Sequence, residues 1–152
     1  MLTFIGDYPC KMDAKGRISI PSSFRRQLQS AEQDCFVVRK NIYEKCLDLF
    51  PIQEWERQLE EIRKKINVYN REHAEFLREY YRGTAQLQMD GNGRLLIPKR
   101  LSESVGLDKH VVFAGQDGKI EIWGEHEYQG AAMDQKNFMD LASDILGGKH
   151  DL

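Results

Sequence analysis

One stretch of this chain occurs twice. Met12-Asp13-Ala14-Lys15-Gly16-Arg17-Ile18-Ser19-Ile20-Pro21 aligns with Met89-Asp90-Gly91-Asn92-Gly93-Arg94-Leu95-Leu96-Ile97-Pro98. Met, Asp, Gly, Arg, Ile and Pro recur at the same places. A repeat of this kind sets the unit of the fold, so it constrains architecture more than any composition does. The match extends upstream, where Phe4 and Gly6 correspond to Tyr81 and Gly83. Downstream it continues with a small change in offset. Cys35-Phe36-Val37-Val38 resembles His110-Val111-Val112-Phe113, and Leu47-Asp48-Leu49-Phe50 resembles Ile120-Glu121-Ile122-Trp123. So many matches in one order mark a duplication.

Local chemistry gives each copy the same expected course: strand, tight turn, strand, short helix, then a second strand pair. Residues 8–12 and 17–20 flank Asp13-Ala14-Lys15-Gly16. Asp and Gly favour a tight turn, Gly because it tolerates positive φ. Asp90-Gly91-Asn92-Gly93 is a stronger signal of the same kind. Pro21 and Pro98 suit the first turn of a helix, where a missing N–H costs nothing. Short helices are expected over residues 21–28 and 98–105, the second stopped by Gly106. β-branched and aromatic runs predict strands at 35–39 with 46–50, and at 110–114 with 119–123. Gln116-Asp117-Gly118 turns the latter pair.

Between the copies a helical stretch is expected from residue 51 to 81. Ile52, Trp55, Leu59, Ile62 and Ile66 draw one apolar stripe at three- and four-residue spacing. The opposite face carries Glu54, Glu56, Arg57, Glu60, Glu61, Arg63, Lys64 and Lys65. Asn67 and Asn70 interrupt the helix, and Phe76, Leu77, Tyr80 and Tyr81 begin a second apolar face. Tyr128, Phe138, Leu141, Ala142 and Ile145 predict a C-terminal helix ending at Gly147-Gly148. The expected organisation is a first half over 1–50, a helical connector over 51–80, a second half with its C-terminal helix over 81–146, and a flexible tail over 147–152. The apolar stripes fit core packing, subunit interfaces, or both.

Composition narrows the function classes. No apolar run approaches the roughly 20 residues of a membrane helix. The N-terminus has no basic start and no apolar signal core, so a cytoplasmic protein is expected. Cys10, Cys35 and Cys46 are far apart and odd in number, which predicts free thiols and no metal site. His73, His110, His126 and His150 are scattered, and no nucleophile elbow, phosphate loop or dinucleotide fingerprint occurs. The expectation is therefore a non-enzyme without cofactor, metal or small-molecule substrate. The formal charge is −2, from 22 basic and 24 acidic residues. That is unusual for a nucleic-acid binder, but phosphates respond to the local field rather than to the sum.

The local field points the other way. An Asp-x-x-x-Arg element occurs twice, from Asp13 to Arg17 and from Asp90 to Arg94. Across a tight turn the carboxylate can bond turn N–H groups and hold the guanidinium in one orientation. An oriented guanidinium suits forked contacts with a phosphate or a guanine edge. A two-stranded β-ribbon is narrow enough for the DNA major groove. Around Asp13 and Gly16 the first copy carries Lys11, Lys15, Arg17, Arg25 and Arg26. The second has Arg94, Lys99 and Arg100 around Asp90 and Gly93, with Asn92 in place of Lys15, so its pull on DNA is expected to be weaker.

The segment from Asp13 to Arg25 and the segment from Asp90 to Pro98 resemble the two signatures of the MraZ family. Residues 47–55 and 120–123 match further parts of that pattern, and the resemblance covers nearly the whole chain. It implies an α+β fold: a tandem SpoVT-AbrB-type swapped-hairpin β-barrel, with pseudo-two-fold symmetry inside one chain and packed helices. It implies a transcriptional regulator that binds direct repeats in the promoter of its own division and cell-wall operon, nucleoid-associated, and assembled into rings of about eight subunits. Its DNA-contacting residues correspond here to Asp13, Lys15 and Arg17, and to Asp90 and Arg94. The departure at Asn92 removes a Lys-type phosphate contact from the second motif alone. A protein-interaction module related to antitoxins, without DNA binding, is the alternative, although the residues after Gly147 are few for a toxin-binding tail.

Overall fold

The computed structural model describes residues 2–147, so all but the first residue of the expected tail lies outside the described residues. The elements run β1 (Asp7–Lys11), β2 (Arg17–Ser19), α1 (Ser22–Ser30), β3 (Cys35–Lys40), β4 (Leu47–Pro51), α2 (Ile52–Lys65), α3 (Arg71–Tyr81), β5 (Ala85–Gln88), β6 (Arg94–Leu96), α4 (Lys99–Ser104), β7 (His110–Gln116), β8 (Lys119–Gly124), α5 (Glu125–Gly130) and α6 (Gln135–Leu146). The mixed α+β class is as expected. The strands form a six-stranded antiparallel sheet, ordered β1-β7-β8-β4-β3-β5, and a separate ribbon of β2 with β6. No single closed barrel forms among the described residues.

The repeat matches β1 to β5, β7 to β3 and β8 to β4. Read from either end, the sheet therefore has the same order, with a pseudo-dyad between β4 and β8. Each outer strand belongs to the other half of the sequence. β1 pairs with β7, Tyr8 opposite Phe113, and β5 pairs with β3, Leu87 opposite Phe36. The arms expected to flank each turn thus part company. Between β1 and β2 only the Met12–Ile18 bridge and a bond from Asp13 N to Arg17 O (3.0 Å) remain. The physical reason is burial. An isolated two-stranded hairpin is marginal in water. The exchanged arrangement packs Ile18, Ile20, Leu95 and Ile97 from both halves into one core with Phe4, Phe24, Phe36, Phe113 and Ile122.

The sheet has two used faces. Side chains alternate along a strand. On β3, Phe36 and Val38 enter the main core, while Val37 enters a second cluster with Phe50, Trp55, Leu59 and Tyr80. That second cluster lies under α2 and α3, so the stripe from Ile52 to Ile62 packs within the chain, while Ile66 falls past the end of α2 and outside the cluster. Trp55 stacks on Tyr80 with centroids 5.6 Å apart. The break at Asn67 and Asn70 falls as expected: Asn70 caps α3 by accepting from His73 N at 3.2 Å. Pro21, Pro51 and Pro98 stand at the helix N-cap, one residue earlier than the first-turn placement expected for Pro21 and Pro98.

Two features depart from the pattern-based expectation. The C-terminal helix is two helices, with Tyr128 on α5 and the rest of the stripe on α6. Not one α6 residue is buried: Phe138 is 60% exposed, Leu141 44% and Ile145 69%. The second departure sits at the pseudo-dyad, where repeat mates Asp48 and Glu121 are register partners. Like charges directly opposite are unfavourable. Lys119 relieves them, with Nζ 2.9 Å from Asp48 and 3.5 Å from Glu121. Asn41 also donates to Asp48 (3.0 Å), and Trp123 Nε1 to Glu121 (3.0 Å).

Candidate nucleic-acid interface

Each turn is built by one carboxylate. Asp13 Oδ1 accepts from the backbone N–H of Lys15 at 3.0 Å and of Arg17 at 2.9 Å. Its Oδ2 accepts from Arg17 Nε at 2.8 Å. Asp90 repeats the set: Asn92 N at 2.9 Å, Arg94 N at 2.9 Å, and Arg94 Nε at 2.9 Å. Gly16 N donates to Asp13 O, and Gly93 N to Asp90 O, both at 3.0 Å. Gly16 and Gly93 have φ of +88° and +75°, the region where only glycine is unstrained. Both acids are held below the ordinary carboxylate value, first by the backbone N–H of Arg17 or Arg94. They stay ionised, and their oxygens are engaged within the loop. The Nε edge of each guanidinium is used there, leaving the Nη edge for an outside acceptor.

The two turns are also locked to each other. Ile20 N donates to Gly93 O at 2.9 Å, and Ile97 N to Gly16 O at 3.0 Å. Between them runs the ribbon, with Arg17 opposite Leu96, Ile18 opposite Leu95 and Ser19 opposite Arg94. Ile18 and Leu95 are fully buried on its inner face. Arg17 and Arg94, each about a third exposed, share its outer face with exposed Ser19 and Leu96. Both guanidinia therefore stand on one open face of one antiparallel ribbon. Sequence reading missed Ser19 and Leu96; the alternation of the short strands was the signal.

The remaining predicted residues divide. Lys15 is exposed at the tip of the first turn, and Asn92 at the tip of the second. Arg25, read from the sequence as part of the first copy's basic surface, lies against Gly93 of the second turn. A Cβ there would collide with its guanidinium. Arg26 lines a groove between α1 and α2 with Gln53, Glu54 and Arg57. Arg100 lines a different groove with Arg39, Lys40 and Arg82. Lys99 is exposed, 3.8 Å from Glu103.

Among the described residues, one other cluster brings ligand-type atoms together: Cys46, Asp48 and Glu121, within 4.8 Å of one another. Burial first, and then Glu121 and Asp48, push the Cys46 thiol far up, which keeps it protonated. Burial works against the Lys119 ammonium, but Asp48 and Glu121 outweigh it and the net shift is upward. That one cation offsets half of the charge of the two carboxylates. All three cysteines are free thiols, Cys46 buried and the others half-buried. Among the described residues no helix is long and apolar enough to cross a membrane.

Comparison with known proteins agrees with the duplicated geometry. The family model that describes an antitoxin-like MraZ protein matches twice, over residues 3–79 and 80–146. A protein of Bacteroides fragilis named "Transcriptional regulator MraZ" is 40% identical over 146 residues, 96% of this chain and 92% of the relative. The same name is carried by a Christiangramia forsetii protein, 35% identical over 97% of this chain and 95% of the relative. It is also carried by a Clostridium tetani protein, 34% identical over 93% of this chain and 98% of the relative. With the repeat, the paired turns and both family matches in register, the chain belongs to the MraZ family.

Proposed function

We propose that this chain is a DNA-binding transcriptional regulator whose β2–β6 ribbon enters the major groove. The observation that carries the reading is the pair of guanidinia on the ribbon's outer face, each pinned at Nε by its own Asp. Pinning lowers the entropy lost when a forked contact to a guanine or a phosphate forms. Asp13 and Asp90 act as positioning residues, Gly16 and Gly93 as turn formers, and Lys15 and Asn92 as tip contacts. Arg25, Arg26, Lys99 and Arg100 extend the basic surface. The names of the relatives support the regulatory role.

The exchange of β1 and β5 supports a swapped-hairpin barrel in single-chain form. The finer reading includes direct repeats in the promoter of the protein's own division and cell-wall operon, and a nucleoid-associated place in the cytoplasm. It also includes a ring of subunits. The unburied α6 stripe of Phe138, Leu141 and Ile145 supports self-association. A ring presents several ribbons to successive repeats and gains by effective concentration. It also gathers the basic loops of an acidic chain on one side. Sedimentation should give a large oligomer, and a monomer at working concentration would remove the ring.

The rival is an antitoxin-related interaction module, for which the same α6 face would be the binding surface. A gel shift at moderate salt with DNA from upstream of the protein's own gene separates the two. Retardation that is lost in Arg17→Ala supports the regulator. Absence of any retardation at micromolar protein supports the module.

A further inference from the structure

In the register that matches Pro21 to Pro98, several charged positions near the turns differ between the copies: Lys11 is matched by Gln88, Arg26 by Glu103, and Ser22 and Ser23 by Lys99 and Arg100. Lys15 is matched by the neutral Asn92, and Arg25 by Ser102. Ser102 is buried and donates to Lys99 O at 3.0 Å, so nothing cationic takes its place there. At the Lys15 and Arg25 positions, the first copy holds a cation and the second does not. In space the tally changes. Arg25 lies against Gly93, whereas a Cβ on Gly16 would meet only Ile97 O and Leu96 Cδ1. Gly93 is correspondingly buried and Gly16 half-buried.

The placement follows from the fold. The Ile20 N–H bond to Gly93 O ties the chain entering α1 to the second turn. Phe24 and Leu28 then anchor α1 in the core, with Phe24 set edge-on to Phe4 and Tyr8 at 5.3 and 5.1 Å. The next residue after Phe24 is directed at the turn of the other copy. Arg25 makes no ion pair among the described residues, so its charge is not cancelled locally.

We propose that the second DNA-contacting loop is a composite unit, in which Arg25 from the first copy supplies the phosphate-binding cation that Asn92 cannot. The two loops are then matched in charge by different routes, Lys15 with Arg17 in one and Arg25 with Arg94 in the other. The proposal rests on the reading that the ribbon contacts DNA. A guanidinium stem packed over Gly93 for stability alone would leave DNA affinity untouched, which separates the two roles.

The test is a double-mutant cycle on the full chain, binding a duplex of the DNA upstream of its own gene. Arg25→Gln keeps the stem and removes the charge, and a melting curve checks its fold. Binding should weaken about tenfold, and the salt slope should fall by about one. The same substitution should have little further effect in an Arg94→Ala background and its full effect in an Arg17→Ala background, because coupling is confined to residues of one unit. Asn92→Lys should restore binding to Arg25→Gln, and Arg25→Lys should retain most of it. Wild-type affinity in Arg25→Gln, or coupling to Arg17 instead of Arg94, overturns the proposal. If neither Arg17→Ala nor Arg94→Ala weakens binding, the DNA reading itself has failed, whatever Arg25 does.

Discussion

The turn at Asp13 and the turn at Asp90 agree in what orients the guanidinium and differ in what surrounds it. Arg Nε lies 2.8 Å from Asp in the first and 2.9 Å in the second, with the same backbone bonds beneath. The tip residues differ, Lys15 against Asn92. The covers differ as well, since the Arg25 guanidinium lies on Gly93 while Gly16 is half open. The outer-face neighbours also differ, Ser19 in one strand and Leu96 in the other. Orientation was kept through the duplication and charge was redistributed. That is the pattern expected when both arginines must present the same fork to DNA while the bases they meet are free to differ.

Removing both guanidinia should break the comparison most. Each of Arg17→Ala and Arg94→Ala is expected to cost about 1–3 kcal/mol of specific affinity, and the double variant about their sum. Fluorescence anisotropy with a promoter duplex reads this. Equal single losses fit matched loops. A loss confined to Arg17 would make the second loop a structural copy only. Next in size are the glycines. Gly16→Ala and Gly93→Ala each place a side chain at positive φ and should lower stability by about 1–3 kcal/mol in thermal melts. Gly93→Ala should also weaken DNA binding more than Gly16→Ala does, because its methyl displaces Arg25.

A smaller effect separates the tips. Lys15→Ala should lower the salt slope of binding by about one, and Asn92→Ala should leave it unchanged. Equal slopes would mean that the tips do not reach phosphate. The smallest difference concerns pH, where the loops should behave alike. Both carboxyls have folded values below the ordinary 3.8. Their contribution is therefore complete above the unfolded value and lost only as pH falls through the lower folded one. An NMR carboxyl titration should place both midpoints under 3.8, and a midpoint above it in either loop would mean that its turn bonds are not maintained in solution.

Much of this was legible in the chain. The repeat, the turns, the helix break at Asn67 and Asn70 and the Asp-x-x-x-Arg pairs rest on local chemistry, and local chemistry is written in consecutive residues. What was not legible is non-local. Local chemistry in residues 8–20 does not say that β1 will leave β2 for β7, because that choice depends on burying Ile18 and Leu95 together; only the family resemblance implied a swapped hairpin. Arg25 looked like first-copy charge because sequence distance was the only distance available. The apolar spacing on α2 and α6 looks alike, yet α2 buries Trp55 and Leu59 against the sheet and no residue of α6 is buried. Lys119 was unremarked because a lysine in a strand does not announce that two repeat-mated carboxylates will face it.

The claim beneath all of this is that the outer face of the β2–β6 ribbon lies in the major groove. Methylation interference at guanine N7 tests it most directly, since that atom lines the major groove and is an acceptor for an arginine fork. The account predicts that methylated guanines within the bound repeats are depleted from the complexed DNA, and that Arg17→Ala and Arg94→Ala each erase part of the pattern. Binding that is indifferent to guanine N7 methylation, with a pattern unaltered in both variants, would contradict it.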